Sequence, residues 1–301
     1  MNLLLTGAWS DARNAIAQLE QAGHAAVFLQ HECDPLPCPY DWVEGVVCNG
    51  LFLHHNIEKF PSLRFIQLIS AGFDRANMEY IQKKNIEIHN ARGVYSIPMA
   101  EFALCGVLQL YKQAFFFHKT QKKHLWEKNR DLKELFGQTV CIVGCGNVGT
   151  ECALRFSALG CKVIGVDLYP TENTVFSQVF PLEHLTQALP KSDVVILTLP
   201  LTQESHHLFN TEVFKAFKPG SILVNIARGA VVDTSALTEA LKQEILSGAV
   251  LDVFEEEPLT QDSPLWDMKN VLVTPHNSFV GNNNATRLRD IVFRNLKVLE
   301  L

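Results

Sequence analysis

The chain has 301 residues, of which 47% are hydrophobic and 19% charged, a composition typical of a folded globular protein with room for two domains. Its net charge of −6 and its dispersed lysines argue against a nucleic-acid partner. The longest apolar runs have only the length of a strand, so no membrane span is predicted and a small molecule is the expected partner.

The first third of the chain alternates short apolar runs with amphipathic segments. Its opening stretch, MNLLLTGAWS, has neither a basic start nor a long apolar region, so it predicts a first strand and a turn rather than a secretion signal. Runs that are apolar on both faces and separated by helix-length stretches are typical of a parallel sheet covered by helices. The predicted strands of this part are 3–5, 25–29, 46–47, 65–69 and 86–88.

One long helix is predicted from Met99 to about His124, because this segment is rich in Ala, Leu, Phe and Lys and has no Gly or Pro after Gly106. Its aromatic cluster at 115–117 indicates packing or a subunit contact. Apolar residues at helical spacing predict a last helix within 285–301. A second series of strands is predicted at 139–143, 162–166, 194–197, 222–225, 249–251 and 271–273. Two such series predict two α/β domains with doubly wound parallel sheets.

The eight cysteines are scattered, without paired CxxC motifs or a His-x3-His partner, so no metal site is predicted. Cys141 lies inside an apolar run, where a thiol behaves as a small hydrophobic residue. This use of cysteine favours a reducing cytoplasm as the location.

A glycine-rich loop, GCGNVG, follows the predicted strand TVCIV and precedes a helical stretch. In such a GxGxxG loop the first glycine allows the tight turn, the second lets the backbone approach a pyrophosphate, and the third permits close helix packing. The amides at the helix N-terminus then face the anion. The motif alone is a weak signal, because glycine turns are common. The expected cofactor contacts are Gly144, Gly146, Asn147, Val148 and Gly149.

Asp167 strengthens this interpretation, because it ends the next predicted strand, KVIGV, at about the 20-residue offset from the loop that dinucleotide-binding domains show. A carboxylate at that point can accept hydrogen bonds from both hydroxyls of the adenosine ribose. The alternative, a loop residue or a helix cap, does not explain the offset. Asp167 would also repel a 2′-phosphate, and the segment 168–171 has no Arg or Lys to neutralise one. NAD is therefore favoured over NADP.

Three polar residues follow predicted strands further along the chain. Arg228 comes after strand 221–225, where open α/β sheets bind ligands, and its planar fork suits a carboxylate. Glu257 ends an acidic run, and His276 follows the stretch VLVTP. In isolation each has a plain alternative: a surface ion pair, a solvated acidic loop, or a histidine satisfied by hydrogen bonds at a strand end.

Together these segments resemble the D-2-hydroxyacid dehydrogenase family of NAD-linked enzymes, which includes phosphoglycerate dehydrogenases and glyoxylate or hydroxypyruvate reductases. By this resemblance His276 is the general acid and base, Glu257 holds its other ring nitrogen, and Arg228 binds the carboxylate and carbonyl oxygen of a 2-oxo acid. Asp252 would lie near the nicotinamide amide. The matching text is VGCGNVG with Asp167, LTLPLTQESHHLFN, NIARGAVVD, GAVLDVFEEEPL and NVLVTPH.

The resemblance also indicates residues that line the ligands. Leu199, Pro200 and Ala227 match backbone beside the cofactor, and the loop SAGFD, Ser70 to Asp74, resembles the loop whose amides hold the substrate carboxylate. For Ser70, Ala71 and Gly72 the alternative is an ordinary strand-to-helix turn. After His276 the chain has Asn277-Ser278-Phe279 where the family often has small residues, which leaves the substrate open. The histidine pairs 54–55 and 206–207 have no evident partner and are expected at the surface.

The predicted architecture is a Rossmann NAD-binding domain, residues 97–284, inserted in a flavodoxin-like substrate domain made of 1–96 and 285–301. The resemblance implies a homodimer built on the long helix after Met99. Two alternatives stay open, since a fold does not fix a function. One is an NAD-sensing corepressor of the same fold, and the other is a dehydrogenase of the formate or phosphite type.

Overall fold

Residues 1–73, 75–170 and 174–298 are described by a computed structural model. The chain divides into two compact units, one formed by Met1–Tyr95 with Gly281–Leu301 and the other by Ser96–Val280. The sequence places its domain boundaries at 96/97 and 284/285, and the assignment of substrate and cofactor roles to the two parts stays a prediction.

The elements of the described residues alternate along the chain. The strands are β1 Asn2–Thr6, β2 Ala25–Leu29, β3 Gly45–Cys48, β4 Phe65–Leu68, β5 Glu87–His89, β6 Thr139–Val143, β7 Lys162–Asp167, β8 Gln178–Pro181, β9 Val194–Leu197, β10 Ser221–Asn225, β11 Leu246–Leu251 and β12 Val271–Val273. The helices are α1 Ala12–Gln21, α2 Leu51–His54, α3 Met78–Lys83, α4 Ser96–Tyr111, α5 Ala114–Lys122, α6 Asn147–Ala158, α7 Leu185–Ala188, α8 Thr211–Lys215, α9 Thr234–Lys242 and α10 Asn284–Asn295.

The first unit contains a five-stranded parallel sheet with the order β2-β1-β3-β4-β5. Helix α10 joins this unit from the far end of the chain, and its buried face includes Val292 and Phe293. The Phe293 ring meets the Trp9 ring edge-on, with 6.4 Å between the ring centroids. The Asn295 side chain donates to Gln67 Oε1 at 2.7 Å. Of the predicted last helix, Leu299 lies outside the described residues.

The second unit contains a seven-stranded parallel sheet with the order β12-β11-β10-β9-β6-β7-β8. Strands β9 and β10 are buried along their whole length, and apolar clusters cover both faces of the sheet. The strand order reverses between β6 and β9, and ligands of open α/β sheets bind at such a switch point, beside the carboxyl ends of the strands. The predicted fold class, two doubly wound parallel-sheet α/β domains, is confirmed.

The prediction of one long helix from Met99 to His124 is wrong. Helix α4 ends at Tyr111 and α5 begins at Ala114, because Gln113 adopts a left-handed conformation with φ of 52°. The end of α4 is capped without glycine: Gln113 Nε2 donates to the Leu110 carbonyl at 3.2 Å, and the Lys133 amide donates to the Tyr111 carbonyl at 3.1 Å. Among the described residues, no helix has both the length and the apolar character needed to cross a lipid bilayer.

Candidate active site

The glycine-rich loop leaves β6 and enters α6 at the switch point. Gly144 has φ of 102°, and a Cβ there would lie 2.6 Å from the Leu199 amide nitrogen. A Cβ on Gly149 would lie 2.0 Å from the Gly144 carbonyl oxygen, so the loop and α6 approach each other as only glycine allows. Beyond its neighbours in the chain, a Cβ added to Gly146 would meet no atom of the described residues within 4 Å. That open side is where a pyrophosphate can approach the backbone.

Asp167 ends β7 beside this loop. Its carboxylate accepts the Cys145 amide at 2.6 Å and the Tyr169 amide at 2.9 Å, which fixes both oxygens in position. A pocket of about 80 Å³ opens there, and its lining includes the predicted cofactor residues Gly144, Asp167, Leu199 and Pro200. The glycine cradle and the carboxylate beside an apolar pocket fit the pyrophosphate, ribose and adenine of a dinucleotide.

Part of this pocket is not predicted from the sequence. Leu182, Thr202, Glu204 and Ser205 also line it. Thr202 and Ser205 hold the turn: the Thr202 amide donates to Ser205 Oγ at 2.7 Å, and Ser205 Oγ donates to the Pro200 carbonyl at 2.7 Å. The Thr-x-x-Ser spacing inside PLTQES is the local signal that could have found this turn.

Arg228 follows β10 in extended conformation, before a single 3-10 turn. The Asn225 side chain ties the strand end to it, because its oxygen accepts the Ala227 amide at 3.1 Å and its nitrogen donates to the Arg228 carbonyl at 3.3 Å. Arg228 Nη1 donates to the Ala227 carbonyl at 2.8 Å. The guanidinium is therefore held at the carboxyl edge of the sheet, on the same edge as the glycine-rich loop.

His276 and Glu257 are brought together although they lie 19 residues apart in sequence. His276 Nδ1 lies 2.8 Å from Glu257 Oε2, and the side chains are 43% and 37% exposed. The other Glu257 oxygen accepts the Phe254 amide at 3.0 Å. With Nδ1 donating to the carboxylate, Nε2 is left to exchange a proton with a ligand, and within the described residues it makes no hydrogen bond.

The turn that presents His276 is held by Asp252, which is fully buried. The Asp252 carboxylate accepts Thr274 Oγ1 at 2.7 Å, the Asn277 amide at 2.7 Å and the Ser278 amide at 2.8 Å. The Asp252 carbonyl also accepts the His276 amide at 2.8 Å, while His276 adopts φ of 51°. The carboxylate thus sets the direction of the imidazole. The predicted contact of Asp252 with the cofactor stays a prediction.

The loop at Ser70, Ala71 and Gly72 follows β4 in the first unit. Ser70 Oγ donates to the Gly72 carbonyl at 3.0 Å, and Asn90 donates to the Ala71 carbonyl at 2.6 Å. The amides of Ala71 and Gly72 make no hydrogen bond within the described residues, so they are able to bind an anion. The role of this loop stays a prediction, and Asp74 lies outside the described residues.

The prediction of surface histidines without partners is wrong for His55 and His207. His55 is buried, with Nδ1 at 2.9 Å from the Tyr40 hydroxyl and Nε2 at 3.1 Å from the Asp34 carbonyl. His207 Nε2 lies 3.1 Å from Glu255 Oε2. These partners lie 15, 21 and 48 residues away, beyond the range of any local pattern. Within the described residues, no group of three or more His, Cys, Asp or Glu side chains is arranged to hold a metal ion.

A cradle that fits a dinucleotide and an imidazole paired with a carboxylate, both at the carboxyl edge of one parallel sheet, are features of nicotinamide-dependent oxidoreductases. Residues 104–278 match the family model described as D-isomer specific 2-hydroxyacid dehydrogenase, NAD binding domain. This match covers more than half of the chain, and the chain belongs to the D-2-hydroxyacid dehydrogenase family.

Curated relatives support the same assignment. The chain is 32% identical over 243 residues to (S)-sulfolactate dehydrogenase of Chromohalobacter salexigens, covering 80% of this chain and 79% of that protein. It is 34% identical over 244 residues to glyoxylate reductase of Thermofilum pendens, covering 78% and 71%. The chain is accordingly an NAD-dependent enzyme of this family, and the oxidoreductase prediction is confirmed.

Solved structures extend the likeness to the whole chain. D-lactate dehydrogenase of Aquifex aeolicus, complexed with NAD and lactic acid, has a TM-score of 0.78 and 27% identity, covering 98% of this chain and 94% of that one. A D-isomer specific 2-hydroxyacid dehydrogenase of Xanthobacter autotrophicus, complexed with NADPH and MES, has a TM-score of 0.80 and 28% identity, covering 99% and 94%. The predicted NAD cofactor is confirmed at the level of the family.

Proposed function

We propose that the chain reduces a 2-oxo acid to a D-2-hydroxy acid, and catalyses the reverse reaction, with His276 as the general acid and base. The observation that carries the proposal is the 2.8 Å contact between His276 Nδ1 and Glu257. It fixes the tautomer and aims Nε2 outward, in the unit that also holds the dinucleotide cradle and Arg228.

Each residue has a distinct task. Bound NADH supplies the hydride. His276 Nε2 donates its proton to the substrate carbonyl oxygen, a transfer typically worth about 10² to 10⁴ in rate. Glu257 orients the ring by accepting the hydrogen bond from Nδ1. Arg228 binds the substrate carboxylate and carbonyl oxygen, and its charge stabilises the oxyanion as it develops.

The cofactor contacts follow from the cradle. Amides of the Gly146–Gly149 segment face the pyrophosphate, and the Asp167 carboxylate accepts the ribose hydroxyls. The same carboxylate repels a 2′-phosphate, so NAD is the preferred form. Leu199, Pro200 and Ala227 line the cofactor.

The test gives the purified protein NADH with glyoxylate, hydroxypyruvate, pyruvate, bulkier 2-oxo acids and 3-phosphohydroxypyruvate. At least one of them is expected to oxidise NADH. His276→Gln is expected to lower turnover by about 10² to 10⁴ while NADH affinity stays within a few-fold. The control is His54→Gln. Unchanged turnover in His276→Gln contradicts the acid role, and no NADH oxidation with any acid contradicts the function.

We also propose that two copies form a homodimer through the face that carries α5 and the segment after it. Large apolar side chains are exposed there, with Trp126 at 99% and Phe136 at 75%. Such a concentration of exposed apolar area marks an interaction surface. Trp126→Ser is expected to shift the mass in analytical ultracentrifugation from dimer to monomer, while the control Trp266→Ser leaves it unchanged. A monomeric wild type contradicts the proposal.

The cytoplasm is the proposed location, because all eight cysteines are free thiols and a reducing compartment keeps them so.

A further inference from the structure

The acidic run after β11, Glu255 to Glu257, consists of three glutamates that differ in their hydrogen-bond partners. Glu257 turns to His276. Glu255 turns the other way: one oxygen accepts the Thr234 amide at 2.6 Å, and the other lies 3.1 Å from His207 Nε2. Glu256 is exposed and makes no hydrogen bond or ion pair within the described residues. The run is therefore more than a solvated acidic loop, because two of its members have specific partners.

His207 connects this run to the loop of Arg228. Its amide donates to the Ala230 carbonyl at 2.8 Å, two residues after Arg228. Its backbone has φ of 49°, and its ring lies against that of His206, with 4.1 Å between the centroids. These contacts position the His207 imidazole independently of its contact with Glu255.

The backbone of the acidic run also touches the Arg228 loop directly. A Cβ on Gly229 would lie 1.8 Å from the Phe254 carbonyl carbon and 2.4 Å from the Glu255 nitrogen. The two loops are in backbone contact, and only a glycine at 229 permits it. A displacement of the acidic run would therefore change the position of Arg228 as well as that of His276.

The surroundings favour an ionised Glu255. It accepts the first amide of α9, at the positive end of that helix. Partial burial acts to raise the pKa of the Glu255 carboxyl, but the hydrogen bonds from Thr234 and His207 outweigh it, and the pKa lies below its usual value. The charged or titratable groups nearest to this carboxylate in the contacts above are His207, with the stacked His206, and the neighbouring Glu256 and Glu257.

We infer that Glu255, clamped by His207 and Thr234, is a positioning residue that holds the acidic run so that Glu257 meets His276 Nδ1. The inference rests on the proposed function of His276. Within the described residues Glu255 makes no hydrogen bond or ion pair with His276, and it acts through the backbone of Glu256, the one residue between it and Glu257. Without the clamp, the half-exposed Glu257 carboxylate samples several rotamers. Its hydrogen bond with His276 Nδ1 is then formed for a smaller fraction of the time.

The expected effect is a loss of turnover without a loss of ligand binding. Glu255→Gln and His207→Asn are each expected to lower kcat on the order of 10-fold to 100-fold, with KM for NADH within two-fold. Because Glu255 is placed to act on the orientation of Glu257 and not on ligand binding, KM for the 2-oxo acid is also expected to stay within two-fold. The double variant is expected to be no slower than the single ones, because both remove the same clamp.

The experiment measures kcat, KM for NADH and KM for the 2-oxo acid in wild type, both single variants, the double variant and the matched control Glu256→Gln, with melting temperatures for all five proteins. The control is expected to match wild type in kcat and in both KM values. A loss of kcat that comes with an equal rise in either KM overturns the inference, as does an equal effect in Glu256→Gln or a double variant whose loss is the product of the two single losses. If His276→Gln itself retains full turnover, the proposed function fails instead, and this result is distinguishable because it does not involve Glu255.

Discussion

The dinucleotide cradle and the loops of the proposed catalytic residues, here called the catalytic loops, lie at the same edge of one sheet, yet different features hold them in place. The cradle depends on glycine, because a Cβ at Gly144 or Gly149 would clash with backbone atoms. The catalytic loops depend on carboxylates: Asp252, Glu255 and Glu257 each accept hydrogen bonds from other loops or turns. The cradle is therefore local in sequence, whereas the catalytic loops are assembled from distant segments.

Because glycines build the cradle and carboxylates hold the catalytic loops, substitutions in the two regions are expected to have different effects. A change in the cradle alters either the backbone packing of the loop or the space that a ligand must enter, so it changes stability, cofactor affinity or both. Replacing a carboxylate leaves hydrogen-bond donors or an imidazole in another loop without their acceptor. The effect is therefore expected in turnover, in pH dependence or in stability.

The largest effect is expected from Asp252→Ala, which leaves the Thr274 hydroxyl and the Asn277 and Ser278 amides without their acceptor. Each buried donor that loses its acceptor costs about 1–3 kcal/mol, and the His276 turn loses its anchor. Turnover is expected to fall by roughly 10² or more. Chemical unfolding and steady-state kinetics measure the two losses, with exposed Asp262→Ala as control. A stable and active variant would remove the anchoring role.

Arg228→Lys tests whether the planar fork matters. An ammonium keeps the charge but cannot bind a carboxylate and a carbonyl oxygen together, so both a higher KM for the 2-oxo acid and a slower turnover are expected, by about 10- to 100-fold in kcat/KM. Steady-state kinetics with the best 2-oxo acid measures both constants. A loss confined to NADH binding would contradict the assignment.

Two glycine substitutions in the cradle distinguish an effect on the stability of the fold from an effect on NADH affinity. In Gly149→Ala the new Cβ would lie 2.0 Å from the Gly144 carbonyl, so both stability and NADH affinity are expected to fall, the former by about 1–3 kcal/mol. In Gly146→Ala the new Cβ would meet no atom of the described residues within 4 Å beyond its neighbours in the chain, and φ is −72°. Stability is therefore expected to stay unchanged while NADH affinity falls by about ten-fold. Thermal melting and fluorescence titration measure these quantities. Unchanged affinity in Gly146→Ala would place the pyrophosphate elsewhere.

The smallest effect concerns acid stability of the catalytic loops. The pKa of Glu255 in the folded state lies below its usual value of 4.5, so its contribution to stability is fully present above 4.5 and is lost as the pH falls through the lower folded value. The melting temperature of Glu255→Gln is expected to lie below that of wild type near pH 7 and to converge with it in acid. A constant difference from pH 7 to pH 3 would show that the charge of Glu255 is not involved.

The sequence predicts the cradle well because its signal is local: strand, GxGxxG, helix and Asp167 follow one another within one βαβ unit. The pairing of His276 with Glu257 came from family resemblance, since the side chains meet across 19 residues of intervening chain. His207 with Glu255 had no such guide, because 48 residues separate them. The break at Gln113 was missed because the cap uses a glutamine side chain and a distant lysine amide instead of glycine or proline. The short edge strand β8 carries only four residues and was also missed.

The central claim is that a hydride passes from the nicotinamide to carbon 2 of a 2-oxo acid on one fixed face. The most direct test supplies NADH deuterated at nicotinamide carbon 4, on the transferred side, with the best 2-oxo acid that bears a carbon side chain. The expected product is a D-2-hydroxy acid with deuterium on carbon 2, identified by chiral chromatography and mass spectrometry. An L product, or a product without the label at that carbon, would contradict it.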